Sequence, residues 1–228
     1  MIRLLTDDKT AEFSAFCDKR ITGAVIYTRL KAYGLFSNEA FFWYSENDDG
    51  KINAVFSMTD GVILACTDGT ADEEEISIFA QTVGASGVTY GNAEYTLKFN
   101  SSQKTCTAEN ISGENIKDAF DVIFEDDADR KKYFSRWYTD ASHKIRHGLI
   151  HGKCIYRDGR CVSVALTSGE TDSVAVISSV ATLSDYRKQG FGEQTVLSLV
   201  QSLNKEIYLM TDSEKTMQWY EKMGFYKQ

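Results

Sequence analysis

Proline is missing altogether: the chain has 228 residues, 16 of them glycine and none proline. No turn is therefore stiffened by a fixed φ, and no helix or strand is stopped by a lost N–H. Boundaries must be read from hydrophobic pattern and glycine placement. No apolar run approaches the ~18–20 residues that a membrane span needs. The opening MIRLLTDDKTAEF turns acidic before a signal core could develop. Both features lead us to expect a cytoplasmic protein with no membrane partner. The five cysteines (Cys17, Cys66, Cys106, Cys154, Cys161) are odd in number and include no C-x-x-C pair, which argues against a disulfide framework or a four-cysteine zinc site. They read as reduced, packed thiols. Two nucleotide signatures are also missing: there is no G-x-x-x-x-G-K-[ST], and no G-x-G-x-x-G followed by an acidic residue about 20 positions on.

What is present is an ordinary globular composition, 43% hydrophobic and 25% charged. The net charge of −8 hides an asymmetry. Residues 1–129 hold 10 Lys and Arg against 23 Asp and Glu, whereas residues 130–228 hold 15 against 10. The overall charge disfavours nucleic acid as a partner, while the second half alone would accept a small polyanion.

Two stretches resemble each other, WYSENDDGKINAVFSMTDG (43–61) and GKCIYRDGRCVSVALTSG (152–169). Each is an apolar run, an Asp-Gly turn, a basic residue and a second run, the pattern of a β-hairpin whose turn wants positive φ. Aligning the Asp-Gly pairs gives an offset of about half the chain, as a duplicated domain would leave. A helix over DEEEISIFAQTVG follows the first hairpin, with acids at its start and Gly84 as its stop. The segment FEDDADRKKYFSRWYTDASHKIRHG reads as loop and helix, and its acidic run Glu125–Asp127 as a solvated face without chemistry. The second half continues with a strand SVAVISSVAT, a glycine turn, a helix GEQTVLSLVQSLN, a strand EIYLM and a helix SEKTMQWYEKM. Strands alternating with single helices indicate α+β architecture around a mixed sheet.

The turn DYRKQGFG (185–192) places two glycines one residue apart behind Arg187 and Lys188. A helix starting near Gly190 would present free N–H groups and the positive end of its dipole. Glycines there would let the main chain approach phosphate oxygens, with basic side chains beside them. The arrangement suits a diphosphate.

VATLSDYRKQGFG (180–192) resembles the acetyl-CoA-binding segment of the GCN5-related N-acetyltransferases (the GNAT family), Arg/Gln-x-x-Gly-x-Gly/Ala between a strand and a helix. Here Arg187, Gly190 and Gly192 fill the pattern. WYEKMGF (219–225) is similar to that family's final helix and the start of its last strand. The likeness covers residues 130–228 well and the first half in outline. It departs at Ser184, where the family often has Pro, and near Ser213, where it often has Asn.

The resemblance implies an acyl-CoA N-acyltransferase fold in two tandem domains, a degenerate one over 1–128 and an acetyl-CoA-binding one over 129–228. Backbone N–H groups of Lys188, Gln189, Gly190, Phe191 and Gly192 would hold the pyrophosphate, with Arg187 alongside. Val180, Ala181 and Thr182 would pair with the pantetheine arm, and Tyr220 would protonate the leaving thiolate. The reaction would be direct acetyl transfer to a primary amine in a ternary complex, without a metal. The acid excess of the first half points to a cationic acceptor. His143, His147 and His151 recur every four residues, but Gly148 and Gly152 interrupt the helix that a metal site would need. Glu170, Asp172 and His147 are positional candidates for the general base. The alternative function is a non-catalytic acyl-CoA-binding or sensing module.

Overall fold

The computed structural model describes residues 1–228, and they form two compact units. The first comprises Met1–Asn92 with Gly169–Val174, the second Ala93–Ser168 with Ala175–Gln228. Residues 93–128, which the sequence reading assigned to the N-terminal domain, lie in the second unit.

The first unit runs β1 (Ile2–Leu4), α1 (Thr10–Cys17), α2 (Ile21–Tyr33), β2 (Phe41–Glu46), β3 (Ile52–Thr59), β4 (Val62–Thr67), α3 (Glu73–Thr82) and β5 (Gly87–Thr89). Its sheet has the order β1-β2-β3-β4-β5, antiparallel except for the parallel pair β4·β5. Phe13, Ile26, Phe42 and Val55 pack between helices and sheet, and Trp43, Phe56, Ile63 and Ile76 form a second cluster. The helix over DEEEISIFAQTVG forms as expected: Asp72 Oδ1 accepts from the amides of Glu74 (2.9 Å) and Glu75 (3.2 Å), satisfying N–H groups at the helix start.

The second unit is built on β6 (Tyr95–Phe99), β7 (Glu109–Asn110), α4 (Ile116–Ile123), α5 (Arg130–Arg146), β8 (Gly152–Arg157), β9 (Arg160–Glu170), β10 (Val174–Ile177), β11 (Ala181–Thr182), α6 (Phe191–Ser202), β12 (Glu206–Thr211), α7 (Glu214–Glu221) and β13 (Phe225–Lys227), of which only the last two residues of β9 and the first of β10 fall in the first unit. Its sheet order is β13-β6-β12-β10-β9-β8-β7, with β11 paired to β9. From β7 to β12 the elements repeat the order of β1 to β5, and the corresponding strands are neighbours in the same sequence. Only the second unit adds α7 and β13.

The two Asp-Gly hairpins differ in detail. Asp158 (φ 51°) and Gly159 (φ 76°) make the two-residue turn with positive φ at both positions, closing on the pair Arg157↔Arg160. In the first, only Gly50 has positive φ, and Asn47 Oδ1 instead ties the loop by accepting from the amides of Asp49 (3.1 Å) and Lys51 (3.0 Å). The primed turn of the first unit lies one strand later, at Asp60 (φ 61°) and Gly61 (φ 71°), between β3 and β4.

The strand expected over SVAVISSVAT is broken into β10 and β11. Ser178 N donates to Leu166 O, and Ala181 pairs with Val164. Three residues advance on this strand against two on β9, which is a bulge that shifts the register before β11 rejoins β9. No helix of the structure is long and apolar enough to cross a membrane.

Candidate functional site

Everything at the site is organised by the start of α6. Lys188 (φ 60°) and Gly190 (φ 86°) both take left-handed conformations, so the chain folds back sharply before the helix begins. Gly190 is the N-cap and no side chain caps the helix. The first intrahelical bond runs from Gln194 N to Gly190 O (2.9 Å). The amides of Phe191, Gly192 and Glu193 therefore precede the first donor that the helix uses, at the positive end of its dipole.

The two glycines have different reasons to be there. A Cβ on Gly190 would meet nothing within 4 Å, so its requirement is the positive φ. A Cβ on Gly192 would lie 3.2 Å from Thr182 Oγ1 and 3.3 Å from the Trp219 ring. Its bare backbone lets the helix start close against β11 and α7.

A cleft of about 1140 Å³ opens over this turn. One side is the displaced strand end Val180–Thr182. The helix start contributes Arg187, Lys188, Gly190, Phe191 and Gly192, and α7 contributes Thr216, Trp219 and Tyr220. Of the anticipated binding residues only Gln189 is not in the lining. Its side-chain amide donates to Asp185 O (3.0 Å), bracing the turn.

Behind the cleft is a hydroxyl relay that the sequence reading did not identify. Ser163 Oγ lies 2.9 Å from Thr182 Oγ1 and 3.0 Å from Thr195 Oγ1, whose single proton goes to Phe191 O (2.8 Å). Ser163 and Thr195 are fully buried. The relay fastens β11 to β9 and to the first turn of α6.

Tyr220 is 6% exposed. It stands edge-on to Phe225, with ring centroids 5.4 Å apart, and beside Trp219 at 4.7 Å. Burial raises its phenol well above the ordinary value, so at neutral pH it is protonated and able to donate.

The acidic run is not the solvated, inert face expected of it. Glu125, Asp126 and Asp127, in the loop between α4 and α5, line the same cleft. Glu125 accepts from Ser184 N (2.7 Å) and Ser184 Oγ (3.3 Å). Arg187 donates through Nη2 to Asp126 (3.0 Å) and through Nε to Thr182 O (2.9 Å), and its guanidinium lies 3.8 Å from Glu125. Nothing local marks this, because the partners are about 60 residues apart in sequence.

None of the base candidates lines this cleft. Glu170 is buried, with its backbone N–H bonded to Thr28 Oγ1 (2.8 Å), Asp172 is exposed, and His147 caps the C-terminus of α5. The rings of His143 and His147 are 4.5 Å apart, and His151 precedes β8. All five cysteines are free thiols.

Residues 114–225, which include the entire cleft, match the sequence model of the acetyltransferase (GNAT) family. This segment is a GNAT-family domain. No curated protein matches the sequence. Among solved structures the chain resembles a tandem GNAT protein from the clavulanic acid biosynthesis pathway, covering 100% of this chain and 95% of that one (TM-score 0.61, 9% identity). It also resembles a Drosophila protein over 100% and 95% (TM-score 0.60, 11% identity). A GCN5-related N-acetyltransferase from Sphaerobacter thermophilus is similar over 100% and 92% (TM-score 0.55, 10% identity). The match to a GNAT-family protein from Novosphingobium aromaticivorans spans 59% of each chain. At such identities these are likenesses of fold. The three that span the whole chain agree with the repeated element order in making this a tandem GNAT architecture.

Proposed function

We propose that the protein is an N-acetyltransferase that moves an acetyl group from acetyl-CoA directly to a primary amine in a ternary complex, in a cytoplasmic setting that suits its free thiols. The observation carrying this reading is the uncapped start of α6, opening onto a cleft whose other walls are a displaced strand end and a buried phenol. The amides of 188–192 and Lys188 hold the diphosphate, while the main chain of Val180–Thr182 holds the pantetheine arm and orients the thioester. The neutral amine attacks the thioester carbonyl. As the C–S bond breaks, the acyl group stays on nitrogen and the amine's surplus proton ends on sulfur.

Tyr220 fits this step as a hydrogen-bond donor to the sulfur while charge develops there. Its phenol titrates above a free thiol, ordinarily near 8.5, so complete proton transfer to a departed thiolate would run uphill. Its burial steepens that gradient. The carboxylates lining the cleft, together with the acid excess of residues 1–129, support a cationic acceptor, such as a polyamine or a lysine-bearing peptide.

Calorimetric titration with acetyl-CoA tests the reading. Wild type should bind with micromolar affinity. Gly190→Glu, which puts a carboxylate at the helix start, should abolish binding, and Gly190→Ala, which adds only the positive-φ strain, should retain it. If the wild type fails to bind, the proposal is wrong.

A further inference from the structure

The cleft carries its own anions. Four carboxylates line it (Glu125, Asp126, Asp127, Glu193) against two cations, Arg187 and Lys188. Arg187 is already engaged, because Asp126 and Glu125 hold its guanidinium and Glu125 also takes both the amide and the hydroxyl of Ser184. The loop 124–129 is thereby tied across the turn that faces the helix start. A diphosphate entering here brings negative charge beside these carboxylates and meets an arginine whose charge is already paired and two of whose five N–H donors are taken.

We propose that the loop 124–129 is an anionic latch, in which Asp126 and Glu125 occupy Arg187 in place of the diphosphate and are displaced when it binds. This rests on the reading of the cleft as an acetyl-CoA site. Two features fit a contact that exchanges partners. Arg187 and Asp126 are well exposed, with side-chain exposures of 54% and 72%, so neither end is locked by packing and the pair is weak enough to trade. Arg187 also keeps its Nε bond to Thr182 O, which would hold the guanidinium at the cleft while its Nη2 changes partner. Opening the latch would free two carboxylates at the cleft wall once the cofactor is seated.

The sign of the effect separates this device from a supporting role. Asp126→Asn, and Asp126→Asn combined with Glu125→Gln, should bind acetyl-CoA roughly three- to tenfold more tightly than wild type at low salt, with the gain shrinking as salt is raised. Hydrogen exchange on the full chain provides the second measurement. Adding acetyl-CoA should slow exchange at 188–193 and speed it at 124–129 and at the Ser184 amide. Unchanged or weaker binding by the variants, or slowed exchange at 124–129, would overturn the latch while leaving the acetyl-CoA site standing. Absence of binding by wild type and variants alike would overturn both.

Discussion

A buried phenol stands out at the scale of single residues, that of Tyr220 in the cleft wall. In the proposed reaction it lends no charge and acts by staying protonated beside the sulfur. Tyr220→Phe should lower kcat by about 10²-fold with less than about a twofold change in the KM for acetyl-CoA, because the lost hydrogen bond matters only as charge develops. Steady-state kinetics on any accepted amine would decide it: an unchanged kcat would remove Tyr220 from the chemistry, whereas acetyl-CoA binding without any accepted amine would favour the binding-module alternative. The same burial has a stability consequence. The folded-state pKa is raised, so the contribution is intact below the unfolded value near 10 and is lost as pH rises beyond it, by up to about 1.4 kcal/mol per pH unit. Thermal melts between pH 9 and 11 should fall less steeply for Tyr220→Phe than for wild type.

At the scale of elements, the important event is the break between β10 and β11. Its bulge re-registers the strand end on β9, and the Ser163–Thr182–Thr195 relay ties that end to α6. Thr195→Val removes the hydroxyl that joins Ser163 to Phe191 O while leaving Ser163 its contact with Thr182, which should cost about 1 kcal/mol of stability and raise the KM for acetyl-CoA more than it changes kcat. Thr195→Ser should restore both, as differential scanning and initial rates would show. An equal loss in the serine variant would mean that packing of the threonine methyl matters, not the hydroxyl. The turn and its helix were legible in advance because their signals are local: positive-φ glycine, basic flank, apolar spacing. The bulge was not, since SVAVISSVAT reads as one continuous strand and only pairing with β9 reveals the extra residue.

Across the whole molecule, duplication is the governing fact. Two units share one order of elements and strands, and only the second adds α7 and β13. The division is not a simple cut, because β6 sits between β12 and β13 in the second sheet, pairing antiparallel with both. A chain of residues 129–228 would lack this interior strand as well as β7 and α4. It should fail to unfold cooperatively in urea, and a sharp two-state transition would show that β6 is dispensable.

The amino-acid sequence by itself determined the hairpins, the helices α3, α5, α6 and α7 and the glycine turn before α6, because each depends on residues within one or two turns of chain, and it showed the repetition through two similar stretches half a chain apart. Only the tertiary structure decided that an acidic run grips Arg187 from about 60 positions away. It also decided that three hydroxyls from β9, β11 and α6 form one relay, and that β6 completes the second sheet. Those outcomes depend on which distant surfaces meet, and a polar contact between distant residues leaves no periodicity in the chain to read.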